Sequence, residues 1–206
     1  MSRVPRSMEA TEPGPAGSAA ELRRSFPNGV WGIALFIATE ATLFGTLIAS
    51  YWYLRFRHPD WPLGDIAPPK AAAPLALTAV LVATSIPMFL GSAAAGRGQR
   101  QRALLLVLLA ALVQAGYLAA QIHLFADDLS KFTPKTNAYG SIYFTMLAAH
   151  HFHVLLGILL DLFVVWRLVA GLTNYRVIGV RAISWYWHFV NAVAVIVTLT
   201  QVSPSL

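Results

Sequence analysis

The sequence predicts an all-α membrane protein, a five-transmembrane-helix bundle with the N-terminus inside and the C-terminus outside. Three observations carry this. The 206 residues are 57% hydrophobic and only 12% charged, with a mean hydropathy of +0.59; a soluble domain carries about twice that charge fraction. Five windows are nearly free of charge: 25–54 with Glu40 alone, 71–96, 103–126, 136–166 with Asp161 alone, and 182–206. Each exceeds the roughly 20 residues that a helix needs to cross the hydrocarbon core, and none shows the short alternating segments of a β-barrel. The cations are also unevenly placed. Arg3, Arg6, Arg23, Arg24, Arg97, Arg100, Arg102, Arg167, Arg176 and Arg181 fall on one side of a five-span topology, and Arg55, Arg57, Lys70, Lys131 and Lys135 on the other. The positive-inside rule puts the first set, and so the N-terminus, inside. This topology accounts for the net charge of +6 without nucleic acid.

Residues 1–27 read as a disordered cytoplasmic tail, polar and rich in Pro, Gly and Ala, without the apolar core of a secretory signal. Residues 28–206 form the transmembrane domain. Its first span, about 29–54, ends in an aromatic belt of Tyr51, Trp52 and Tyr53. The outer loop HPDWPLGDIAPP follows, kept extended by its prolines. The second span, about 71–95, contains Pro87 and should kink there. A basic turn, GRGQRQR, leads to the third span, about 103–125, and the outer loop DDLSKFTPKTN to the fourth, about 138–167. The inner loop GLTNYRVIGVR leads to the fifth, about 181–202. No internal repeat supports an inverted-repeat transporter.

Polar residues inside these spans are the chief functional signal, because a charged group at membrane depth costs roughly 2.5–3.5 kcal/mol on insertion scales. At 100° per residue, Tyr143, Met146, His150, His153, Gly157 and Asp161 share an arc of roughly 80°. Ser184, His188, Asn191 and Thr198 share another, and Gln114, Tyr117 and Gln121 a third. Lipid cannot satisfy such groups, so these stripes should face other helices. The fourth and fifth spans should be antiparallel neighbours. In the first span Ala41, Gly45 and Ala49 make a small-residue face suited to close helix packing.

Each candidate has a sharp and a bland reading. His150 and His153, three residues apart, could reach one metal or haem, with His188 a third ligand; equally, they could hydrogen-bond across helices. Asp161 stands about 12 Å along the helix from His153, too far to complete a metal site. Paired Glu-x-x-His segments of a di-iron bundle are missing. Glu40 is either a proton-relay carboxyl or a neutral acid hydrogen-bonded to another helix or subunit. Asp161, near the inner end of its span, is expected to pair with Arg167 or Arg181. Trp185, Tyr186 and Trp187 read as an aromatic belt. With no cysteine, thiolate metal sites, thiol redox chemistry and disulfides are excluded. Phosphate-binding Gly loops, nucleophile elbows and zinc-protease motifs are missing too.

Four segments together resemble subunit three of the haem–copper respiratory oxidases (cytochrome c oxidase subunit III) in a short five-helix form. Phe36-Ile37-Ala38-Thr39-Glu40 is similar to the family's Phe-Ile-x-x-Glu element. The run from Leu147 to Gly157, Leu-Ala-Ala-His-His-Phe-His-Val-Leu-Leu-Gly, is similar to Thr-Gly-Phe-His-Gly-x-His-Val-x-x-Gly. Tyr186-Trp187-His188-Phe189-Val190-Asn191 is similar to Tyr-Trp-His-Phe-Val-Asp, and Tyr139–Phe144 to a Tyr-Gly-Ser-x-Tyr-Phe run. The order is kept over about residues 28–200. There are departures. Asn191 replaces the usual aspartate, and Ala148 and His151 stand where glycines are common. Longer members carry two further N-terminal helices that complete a lipid-holding cleft, which is therefore not expected within these five spans.

The resemblance implies a non-redox accessory subunit with no catalytic residue and no metal or cofactor of its own. Haem and copper are expected in the partner subunits one and two; membrane phospholipid is the remaining ligand, and cytochrome c is met only indirectly. The roles implied are stabilising the catalytic subunit, proton uptake at the inner surface, oxygen access and lipid retention. Glu40 matches the family's buried glutamate; His150, His153 and His188, with Asn191 and Asp161, form the expected interhelical or intersubunit polar network. The expected location is the plasma membrane of a bacterium. Rival readings are the third subunit of a quinol oxidase, an accessory protein of a nitric oxide reductase, a membrane cytochrome using His123, His150, His153 or His188, and a small proton-coupled transporter built on Glu40.

Overall fold

The computed structural model describes residues 28–205, so the tail at 1–27, with Arg23 and Arg24, lies outside the described residues. Helix α1 spans Asn28–Arg57, α2 Ala72–Ala83, α3 Ser85–Gly96, α4 Arg100–Lys131, α5 Ala138–Val169 and α6 Asn174–Val202, followed by a short 3-10 turn at Ser203–Ser205. Among the described residues there is no strand. With α2 and α3 as two halves of one span, the molecule has five segments long and apolar enough to cross a membrane.

The break between α2 and α3 falls at Thr84. Pro87 has no N–H to offer the Ala83 carbonyl four residues back, and its ring crowds that carbonyl. The chain tightens instead. Thr84 N–H donates to the Leu81 carbonyl at 3.0 Å, and its hydroxyl to the same oxygen at 2.6 Å.

Two helices run further than their apolar windows. α4 continues to Lys131, through residues expected in a loop, because outside the hydrocarbon a helix tolerates charge at its end. There Lys131 Nζ reaches Asp127 Oδ2 at 2.6 Å and Asp128 Oδ1 at 3.3 Å. α6 begins at Asn174, eight residues before the charge-free window at 182–206. Thr173, in extended conformation, caps it by accepting from the Arg176 N–H. Gly171, at φ +121, takes a backbone conformation that side-chain-bearing residues rarely adopt and so ends α5. Arg100 finishes that end, its guanidinium donating to the Leu168 carbonyl at 2.7 Å and the Val169 carbonyl at 2.6 Å.

α6 is the hub, packing against α1, α2, α3 and α5. α4 lies on the other side of α3 and α5, and of the described helices α1 packs against α5 and α6. Small residues set the close approach. Between α3 and α4, Gly91 faces Val107 and Ala94, Ala95, Ala103 and Ala110 are buried. Between α5 and α6, Gly157 lies under the Trp187 ring, so near that a Cβ there would stand 2.6 Å from Cζ2. The core falls into two clusters. One joins α2 to α6 around Met88, Val107, Val154 and Trp187. The other joins α1 and the 61–66 loop to the first half of α5 and the second half of α6, around Tyr51, Tyr139 and Phe144.

Candidate functional site

The polar stripes of α4, α5 and α6 turn inward: Gln114, Tyr117, Gln121, Tyr143, His150, His153, Asp161, Ser184, Asn191 and Thr198 are all buried. The groups pair off locally and do not converge on one point.

The first pair joins α1 to α5. Glu40 Oε2 lies 2.8 Å from His153 Nε2, with the glutamate side chain 20% exposed and the histidine 6%. His153 Nδ1 lies 2.7 Å from the Ala149 carbonyl one turn back. A carbonyl only accepts, so Nδ1 carries a hydrogen. One further proton therefore lies between Nε2 and Oε2: a neutral acid donating to a neutral imidazole, or an imidazolium donating to a carboxylate. Either way the pair is neutral overall. Phe44 meets the imidazole edge-on at 5.0 Å, and the Tyr186 hydroxyl donates to the His153 carbonyl at 2.8 Å, locking α6 to the same turn.

His150, one turn earlier, faces α4. Its Nε2 is 3.3 Å from the Tyr117 hydroxyl, which accepts from Gln121 Nε2 at 3.2 Å. A cavity of about 30 Å3 lies beside these three and Thr198 and Gln201, room for about one or two waters. Further along, the Tyr143 hydroxyl donates to Asp128 Oδ2 at 2.7 Å, and Gln201 Nε2 to the Tyr143 carbonyl at 3.1 Å. The Asp128 link joins α4 to α5, and the sequence concealed it by placing Asp128 in a loop.

Asp161 corrects an expectation. It is fully buried and pairs with neither Arg167 nor Arg181. Its place on the stripe points it into the bundle, away from the arginines at the helix ends. With the Gln114 amide nitrogen turned toward it, Gln114 donates to Asp161 Oδ2 at 2.8 Å and to the Ala110 carbonyl at 3.2 Å. Asn191 joins α6 to α3 by donating to Ser85 Oγ at 2.7 Å. His188 stays apart from these groups. It is half-buried, and among the described residues its Nε2 approaches only Ser184 Oγ on its own helix, at 3.4 Å. Trp187, read as an interfacial belt residue, is fully buried against Gly157, while its neighbour Trp185 is exposed.

The geometry directs His150 to α4 and His153 to α1, His188 faces a groove between α3 and α6, and His123 is exposed on α4. Among the described residues no group of three His, Asp or Glu converges as a metal site would require. The fold and site define a class: a multi-pass helical membrane protein whose buried polar groups tie its helices together pairwise.

The family is narrower. The model of the family described as cytochrome c oxidase subunit III matches residues 22–202, and the chain belongs to that family. It is 27% identical over 169 residues to cytochrome c oxidase subunit 3 of Thermostichus vulcanus, covering 81% of this chain and 83% of that protein. It is 30% identical over 173 residues to the subunit 3 of Latimeria chalumnae, covering 79% of this chain but only 64% of that longer protein. It is also 28% identical over 169 residues to cytochrome bo(3) ubiquinol oxidase subunit 3 of Pseudomonas aeruginosa, covering 81% and 80%.

Proposed function

We propose that the chain is the non-redox accessory subunit of a proton-pumping haem–copper terminal oxidase that reduces oxygen to water, seated in a bacterial plasma membrane beside subunits one and two. Haem and copper belong to those partners in this reading, and cytochrome c delivers electrons to them rather than to this chain. The N-terminus lies inside and the C-terminus outside. The described cations support that orientation. Arg97, Arg100, Arg102, Arg167, Arg176 and Arg181 gather at one end of the bundle, whereas Arg55, Arg57, Lys70, Lys131 and Lys135 share the other with Asp60, Asp65, Asp127 and Asp128.

The observation that carries the reading is the Glu40–His153 pair. It holds one transferable proton at membrane depth, keeps a flank of the glutamate open, and recruits no third ligand among the described residues. Such a pair suits proton uptake and interhelical support, not redox chemistry. The test is a mild-detergent pull-down of the tagged chain from native membranes, with an optical spectrum and metal analysis. Co-elution of a haem–copper subunit is expected, with no haem or metal on this chain once it is separated. Glu40→Gln should leave the complex assembled, since glutamine can still donate to His153 Nε2, while altering proton uptake or turnover stability. Complete loss of assembled oxidase from that change would refute the reading. The Pseudomonas aeruginosa relative favours a second donor. If the co-eluting complex oxidises quinol and not cytochrome c, the accessory role stands and the donor changes.

A further inference from the structure

We infer that an aqueous entry leads from the Lys131 end of the bundle to His150, between α4 and α5, and ends in a site for about one or two water molecules. A pair of neighbouring cavities carries this. The larger, about 500 Å3, opens among the 65–74 segment, the end of α4 and the start of α5. The smaller is the cavity of about 30 Å3 beside Tyr117, Gln121 and His150. Both are lined by Pro74, Leu124, Asp128 and Tyr143, so these side chains form the partition between them.

The polar lining of the smaller cavity suits water. His150 is 2% exposed, and its Nδ1 has no hydrogen-bond partner among the described residues. Gln121 donates its amide nitrogen to Tyr117, and Gln201 donates its own to the Tyr143 carbonyl. Neither amide oxygen accepts a hydrogen bond among the described residues. A buried water makes about two to four hydrogen bonds, and these groups offer it that many. Left dry, each of them would keep the full desolvation cost of an unpaired polar group.

The larger cavity supplies the water. Asp65, Lys70, Asp127 and Lys131 line it and are exposed, so its mouth meets solvent. The way inward is held shut by one hydrogen bond, from the Tyr143 hydroxyl to Asp128 Oδ2 at 2.7 Å. That bond is the gate. Lys131 Nζ stands 3.3 Å from Asp128 Oδ1, so a carboxylate that releases Tyr143 keeps a partner on the solvent side. In the other direction the core closes. Val154, one turn past His150, is fully buried in one apolar cluster with Leu81 and Val107. The entry therefore opens toward Lys131 and away from the arginine-rich end. Glu40 and His153 stand off it, on the α1 side of α5, whereas His150 faces α4. The entry is built from this chain's own residues and holds whichever complex the chain joins.

Because the chain has no cysteine, a single introduced thiol reports access by itself. The test holds the full chain in liposomes in one orientation and applies silver ion, in chloride-free buffer, to one side at a time. Surviving thiols are then measured by maleimide labelling after unfolding. Thr198→Cys lies in the smaller cavity, Thr200→Cys is buried on the same helix but does not line it, and Ser205→Cys is exposed at the Lys131 end. Thr198→Cys should react from the side that reaches Ser205→Cys, and about tenfold faster than Thr200→Cys, whose reaction waits on local opening. Leu147→Cys, on the apolar wall of the cavity, repeats the measurement without removing a hydrogen bond and should behave as Thr198→Cys does. Tyr143→Phe removes the gate bond and should speed the reaction at Thr198→Cys severalfold while leaving Ser205→Cys unchanged. Leu124→Trp, a plug on a half-buried part of the shared wall, should slow it. Equal rates at Thr198→Cys and Thr200→Cys would overturn the proposal. So would reaction of Thr198→Cys from the side opposite Ser205→Cys, or rates that neither Tyr143→Phe nor Leu124→Trp changes, which would place the entry elsewhere.

Discussion

α1 and α6 are both long apolar helices, yet they meet their surroundings in opposite ways. α6 buries residues from Val180 through to its end at Val202. α1 buries only Phe44 and Tyr51 among its described side chains. Their polar groups follow suit. On α6, Asn191 donates to Ser85, Thr198 shares a hydrogen bond with Thr78 at 2.8 Å, and Gln201 donates to the Tyr143 carbonyl. On α1 the hydroxyls turn back on their own helix: Thr39 to Phe36 at 2.7 Å, Thr42 to Ala38 at 3.0 Å, Thr46 to Thr42 at 2.8 Å and Ser50 to Thr46 at 2.8 Å. A hydroxyl satisfied within its own helix needs nothing from a neighbour and can face lipid. The amides of Asn191 and Gln201, with more donors and acceptors, reach another helix instead. The exception on α1 is Glu40, which reaches across to His153 and gives that otherwise peripheral helix a polar tie at membrane depth.

The same chemical change should therefore have opposite effects on the two packing environments. Gly157→Ala puts a methyl 2.6 Å from the Trp187 ring, at the interface on which α6 depends. It should destabilise the bundle by about 3 kcal/mol, read as a lower denaturant midpoint in mixed micelles. Gly45→Ala on α1 meets nothing within 4 Å and should be neutral or stabilising by up to about 1 kcal/mol. Equal losses from both would show that α1 is packed as tightly as α6, and the contrast would fail.

That pair also shows what the sequence made legible. The five spans stood out as windows without charge, and the 100° arcs correctly marked inward faces on α4, α5 and α6. The arcs gave a direction on each helix but not its partner. That Glu40 meets His153, Gln114 meets Asp161 and Asn191 meets Ser85 depends on which helix lies where around the bundle, and periodicity along one helix carries no such information. The small residues Ala41, Gly45 and Ala49 illustrate the limit. They form a face fit for close packing, but they are exposed, and none of the described helices covers them. The loops were misjudged for a different reason. Hydropathy reports where the hydrocarbon ends, whereas α4 and α6 continue as helices in the polar zone, held by the Lys131–Asp127 pair and the Thr173 cap.

The next largest effect should come at the tie between the two regions. His153→Leu leaves the Glu40 carboxyl without its partner and should cost about 2 kcal/mol. Adding Glu40→Leu should recover part of that loss, because the unpaired acid is then gone. If the double variant is no more stable than His153→Leu alone, the cost lies in lost imidazole packing against Phe44 and not in the stranded carboxyl.

The smallest effects test the hydroxyls. Thr198→Val on α6 breaks a buried bond to Thr78 while preserving shape, and should cost about 0.6 kcal/mol, the usual worth of an interhelical hydrogen bond in a membrane. Thr46→Val on α1 removes a bond that never left the helix and exposes a methyl where a hydroxyl had faced outward. Its expected change is within about 0.5 kcal/mol of zero, the ordinary range for a surface substitution. Measured in the isolated chain and again in the assembled complex, the two variants separate two causes. A Thr46→Val loss that appears only in the complex would mean that a partner covers α1 and uses that hydroxyl. A loss already present in the isolated chain would mean that α1 is not the lipid-compatible surface its internal hydrogen bonds make it.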